Sequence, residues 1–124
     1  MNIELLQKVR DYIHTYPDEL NMDKWCGTTR CIAGTAVVLS NIDHYNCPFG
    51  PEDQHPVEVK AQTLLELSGQ QARRLFHRAS WLSYGGRRFG SEYANDFNLP
   101  EYSAKIACDY IDAFIAHNGE APTK

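Results

Sequence analysis

Apolar residues recur at steps of three and four along positions 3 to 16: Ile3, Leu6, Val9, Ile13 and Tyr16, with Glu4, Lys8 and Asp11 between them. That period predicts an amphipathic helix. Tyr16-Pro17 ends it, because the residue before a proline is pushed out of helical geometry. Residues 17 to 27 connect it to a second helix that starts from Thr28 or Thr29 as cap and reaches Leu39 or Ser40. This second run (Ile32, Ala33, Ala36, Val37, Val38, Leu39) is apolar nearly all round. A helix without a polar face is buried on several sides, so it is expected at the centre. Gly34 inside it costs about 1 kcal/mol relative to alanine, which predicts a close neighbour there. The last helix, through Ala107 or Tyr110, is the expected one.

Residues 41 to 56 hold three prolines and a glycine among polar residues and read as a long loop. Pro56 suits the first turn of a third helix, about 57 to 67. Ser68 caps a fourth, about 69 to 79, with Ala72, Leu75, Phe76 and Ala79 on its buried side. On that helix Arg74 and Arg78 align one turn apart and should border the core with their heads in water. Between 80 and 100, Trp81, Tyr84, Phe89, Tyr93 and Phe97 alternate with glycines, predicting short turns packed onto the core by their rings. Leu99-Pro100 opens a last helix, about 101 to 117. Its buried stripe is Tyr102, Ile106, Tyr110, Phe114 and the neighbouring Ala107, Ile111 and Ile115. Asn118-Gly119 stops it, and 120 to 124 are expected to fray. The expectation is an all-α, compact single domain, residues 1–124, of about five helices with two substantial loops.

At 124 residues and 43% apolar, the chain is long enough for one domain with a core and too short for two. Its apolar runs fall far short of the roughly 20 residues of a membrane span. Met1-Asn2-Ile3-Glu4 has neither the basic nor the apolar region of a secretory signal. A cytoplasmic location is therefore expected, with no membrane partner. Cysteines 26, 31, 47 and 108 are then expected as free thiols.

Charge is informative by position. The net charge is −4, yet residues 67 to 91 contain Arg73, Arg74, Arg78, Arg87 and Arg88 and no acid. Guanidinium groups make forked contacts to carboxylate and phosphate. The main functional expectation is a non-enzymatic binding module. Those five arginines would contact an acidic protein surface or a phosphate-bearing small molecule. The alternative is a solvated face with local ion pairs.

Trp25-Cys26-Gly27-Thr28-Thr29-Arg30-Cys31 carries the other chemistry. A thiol near the free N–H groups of a helix start can have its pKa lowered, and Arg30 could lower it further. Cys26 and Cys31 are therefore the candidate nucleophiles of a thiol-dependent enzyme. Such a thiol needs a base. His14, His44, His55, His77 and His117 are all available, and sequence selects none of them. Cys26, Cys31, His44 and Cys47, spaced C-x4-C-x12-H-x2-C, are a zinc alternative. Buried free thiols are the preferred reading, so neither metal nor cofactor is expected. Residues 57 to 79 are similar to a helix-turn-helix, with Gln70, Gln71, Arg73, Arg74, His77 and Arg78 facing a groove. The acidic balance of the whole chain argues against nucleic acid.

Trp25-Cys26-Gly27-Thr28, followed by Cys31-Ile32-Ala33-Gly34 and Ala36, resembles a family of small bacterial and phage proteins with a C-G-T-x-x-C-x-A-G-x-A block. Their second block is similar to Leu67-Ser68-Gly69-Gln70-Gln71-Ala72-Arg73-Arg74-Leu75-Phe76, with a tryptophan shortly after, here Trp81. The two blocks and the last helix, with Ile111, Phe114 and Ile115, cover about two-thirds of the chain. Thr35 departs from the pattern, where a large residue such as Trp or His is expected. The resemblance implies a bacterial or phage origin and carries over no catalytic residue.

Overall fold

The computed structural model describes residues 1–22, 24–25, 30–40, 52, 54–84, 86–89 and 100–120, the side chains of 100–102 excepted. Among them are five α-helices: α1 (Ile3–Thr15), α2 (Ile32–Ser40), α3 (Gln54–Leu65), α4 (Gly69–Phe76) and α5 (Pro100–Ala116). Single 3-10 turns follow α1 (Pro17–Glu19) and α4 (Arg78–Ser80). A hairpin of two-residue strands, β1 (Ser83–Tyr84) and β2 (Arg87–Arg88), pairs Ser83 with Arg88 and Tyr84 with Arg87. The architecture is all-α, with one small ribbon among the described residues.

α1 packs chiefly on α5, and α2 on α3 and α1. The α1 stripe buries Leu6, Val9 and Ile13, while Ile3 and Tyr16 at its ends stay exposed. Asn2 caps α1 by accepting from Leu5 N–H at 3.1 Å. It also donates to the carbonyls that end α3, from its backbone to Leu65 at 2.7 Å and its side chain to Leu64 at 3.2 Å. One asparagine thus satisfies the orphan groups of two helix ends. α2 is buried from Ile32 to Val38, the central position its uniform hydrophobicity predicts.

α3 begins at Gln54, before Pro56, and ends at Leu65 rather than 67. Proline is tolerated there because the first N–H groups of a helix have no intrahelical partner. Ser68 caps α4 as expected, in a reciprocal box with Gln71. α4 is shorter than its apolar pattern suggests. It stops at Phe76, with His77 in extended geometry, and residues 78–80 wind as a 3-10 turn. Arg78 is therefore not one α-helical turn beyond Arg74, and the expected alignment of the two does not form.

Tyr110, fully buried on α5, gathers the aromatic segment. Trp81 stacks on it at 4.8 Å, Phe89 meets it edge-on at 5.3 Å and Tyr84 lies 5.9 Å away. Its hydroxyl donates to the Arg74 carbonyl at 2.9 Å. Tyr93 and Phe97 lie outside the described residues. α5 closes with Asn118 and Gly119 at positive φ. The Gly119 N–H returns to the Phe114 carbonyl at 2.8 Å and Asn118 N–H to Ile115 at 3.0 Å. Glu120 is held rather than frayed, because its carbonyl accepts from the Tyr84 hydroxyl at 3.0 Å. Residues 121 to 124 lie outside the described residues.

Gly34 does have a close neighbour, but it is not α5. A Cβ there would collide with the carbonyl oxygen of Trp25 and lie 2.9 Å from the Arg30 Cβ. The glycine lets the chain before α2 cross directly over the helix.

Candidate functional site

The five arginines divide by role. Arg74 is half-buried and donates to the Gly119 carbonyl at 3.1 Å, closing the C-terminal turn after α5. Gln71 beside it donates to the Asn118 carbonyl at 3.3 Å. Carbonyls at a helix C-terminus carry partial negative charge, which explains the attraction. Arg87 pairs with Asp109 of α5 at 2.7 Å and lies over the Phe89 ring at 4.7 Å. Burial opposes the Asp109 carboxylate, but Arg87 and Lys105 outweigh it and hold the carboxyl below its ordinary value. Arg78 is half-buried in the turn after α4. Arg73 on α4 and Arg88 on β2 are exposed. The stretch is thus partly structural. Arg74 and Arg87 anchor it to α5, and Arg73 and Arg88 present their charge to solvent. Of the helix-turn-helix set, Gln71, Arg74 and His77 are held within the protein, while Gln70 and Arg73 are exposed.

A second cluster forms where the chain before α2 meets α3 and the end of α4. Cys31 precedes α2 and is 1% exposed. Backbone N–H groups of Ala33 and Gly34 favour its thiolate, as its place at the helix start predicts. Burial is the larger effect and pushes the thiol up to about 11. Arg30 does not serve as its activator. It is 4% exposed, pairs with Glu19 at 3.0 Å and donates to the Tyr12 hydroxyl at 2.9 Å. Tyr12 in turn donates to Glu19 at 2.8 Å, so this buried cation anchors the connection between α1 and α2. Cys108 on α5 is also buried and pushed up to about 11. Cys31 and Cys108 are both free.

The ring of His77, which follows α4, lies 2.7 Å from the Glu58 carboxylate of α3, measured from Nε2. The indole of Trp25 meets that ring edge-on, 5.4 Å between centroids. Sequence offered five histidines and gave no ground for choosing. His14 and His55 are exposed on α1 and α3, and His117 stacks on Tyr84 at 4.4 Å. Among the described residues only His77 has a carboxylate partner. The pairing with Glu58 joins two helices whose relative placement no local pattern encodes.

Cys26, His44 and Cys47 lie outside the described residues. Among those described, no group of three or more His, Cys, Asp or Glu side chains could hold a metal ion. No described helix is long and apolar enough to cross a membrane. No family model, curated protein or solved structure matches the chain.

Proposed function

We propose that the protein is a small helical binding module whose arginine stretch contacts an acidic protein surface or a phosphate-bearing small molecule. The observation that supports it most is the state of Arg73 and Arg88. Both are exposed, and neither side chain makes an ion pair or hydrogen bond among the described residues. No acid lies within 67 to 91 to neutralise them. Arg74 and Arg87 hold the α4 end and the hairpin against α5, so the exposed heads are carried on an anchored surface. Phosphate and carboxylate oxygens are the natural acceptors for such groups. A cytoplasmic location and a bacterial or phage origin accompany this reading, on the sequence features already given.

Titration with tripolyphosphate and with a poly-glutamate peptide tests it. Binding of either should weaken with salt and fall at least about tenfold in Arg73→Gln/Arg88→Gln, since each lost charge-assisted bond contributes about 1.5–3 kcal/mol. Stability should stay within about 0.5 kcal/mol, as for other exposed substitutions. No binding of either probe, or undiminished binding by the double variant, would reject the proposal.

A further inference from the structure

The pairing of Glu58 with His77 orients an imidazole that is itself a nucleophile. We propose that His77 is a phosphoryl-acceptor site: its Nδ1 takes the phosphoryl group of a small acyl phosphate or phosphoramidate, and Glu58 is the positioning residue that directs the transfer to that nitrogen.

The ring is fixed on several sides. Its Nε2 lies 2.7 Å from the Glu58 carboxylate, and Trp25 meets it edge-on, 5.4 Å between centroids. The main chain beneath it is held in both directions. The His77 N–H donates to the Arg73 carbonyl at 3.3 Å, and the His77 carbonyl accepts from Ser80 N–H at 2.8 Å. A carboxylate beside Nε2 draws the ring proton to that nitrogen and leaves the lone pair on Nδ1. Among the described residues nothing hydrogen-bonds Nδ1, and the side chain is 33% exposed, so an electrophile can reach it. The contact with Glu58 alone would tie α3 to the end of α4; the accessible second nitrogen is what points to chemistry.

The setting favours an anionic electrophile. His77 lies within residues 67 to 91, which carry five arginines and no acid. Arg73, exposed, stands in the last turn of α4 just before it. A positive field raises the local concentration of phosphoryl donors. The choice of a phosphoryl donor thus rests on the arginine reading, whereas the identity of the nucleophile does not.

In the transfer from phosphoramidate, the Nδ1 lone pair bonds to phosphorus as the P–N bond breaks, and ammonia departs with the bonding electron pair. From an acyl phosphate the P–O bond breaks and a carboxylate departs. The proton stays on Nε2, so the product is a phosphoimidazolium whose positive charge faces the Glu58 carboxylate.

The test is incubation of native protein with phosphoramidate at about pH 8, where free imidazole is neutral. Peptide mass spectrometry follows each histidine, and nuclear magnetic resonance identifies the modified nitrogen. His14 and His55, exposed and with no carboxylate partner among the described residues, are references within the same chain. His77 should react at least about tenfold faster than either, as a charge-assisted hydrogen bond to the forming phosphoimidazolium implies, and at Nδ1. Glu58→Gln should remove that advantage and leave His14 and His55 unchanged. A His77 rate no higher than the references, or attachment at Nε2, overturns the proposal on wild-type protein alone. An undiminished advantage in Glu58→Gln overturns the role of Glu58. Tripolyphosphate binding without His77 phosphorylation eliminates the acceptor and spares the arginine reading; His77 phosphorylation without tripolyphosphate binding supports the acceptor and counts against the arginines.

Discussion

Gly34→Ala should destabilise the protein, although it improves the intrinsic propensity of α2. In an open helix interior the change gains about 1 kcal/mol. Here the new Cβ runs into the Trp25 carbonyl oxygen, with the Arg30 Cβ at 2.9 Å and the Trp25 carbonyl carbon at 3.0 Å. These are main-chain atoms and the stem of a buried arginine, so no flexible tip can swing aside. Overpacking of this kind costs about 1–3 kcal/mol. Moving the Trp25 main chain also strains the 2.7 Å bond from Cys31 N–H to the Lys24 carbonyl, a further loss of about 1 kcal/mol. Net of the helix gain, the loss is about 1–3 kcal/mol, which lowers Tm by about 5–15 °C for a chain of this size. Far-ultraviolet circular dichroism melts measure it directly. In a Trp81→Phe background, Trp25 fluorescence should shift as the indole is displaced from His77. A Gly34→Ala protein that melts at or above the parent temperature, with unchanged Trp25 emission, would refute the crossing of the chain over α2.

Glu66 sits at φ 54° at the end of α3, where its N–H returns to Thr63 and that of Leu67 to Gln62. A left-handed non-glycine residue is strained, so Glu66→Gly should raise stability by about 0.5–1 kcal/mol in urea denaturation; a loss would show that the Glu66 side chain contributes more than the strain costs. Cys31 and Cys108, with thiols pushed up to about 11, should resist a thiol reagent at neutral pH until urea unfolds the chain, and prompt labelling of either would contradict the burial argument. The Asp109 carboxyl titrates below its ordinary value in the folded protein. Its contribution to stability is therefore complete above the ordinary carboxylate range and is lost as pH falls through the folded value. Arg87→Gln should reduce the acid sensitivity of Tm, and an unchanged pH profile would show that the Arg87–Asp109 pair adds no stability.

The sequence determined whatever depends on neighbours within one or two turns. The 3.6-residue period located α1 and α5, the Ser68 cap located α4, and Asn118-Gly119 located the end of α5. The uniform hydrophobicity of 32–39 identified the central helix. Each signal is local, because helix periodicity and capping involve residues at most four or five apart. The same signals misplaced the end of α4: Ala79 continues the apolar pattern, yet the main chain leaves the helix at His77. Partnerships between distant residues needed the tertiary structure. Arg74 and Arg87 read alike in sequence to Arg73 and Arg88, and only the position of α5 commits the first two to Gly119 and Asp109. Gly34 announced a close neighbour without naming it. The helix-start amides predicted a lowered Cys31 pKa, and desolvation, which depends on everything packed around the thiol, reversed the direction. Glu58 and His77 are 19 residues apart, and they meet because the α3–α4 junction folds back on itself. A hydrogen bond between two helices is set by their packing, which sequence periodicity does not record.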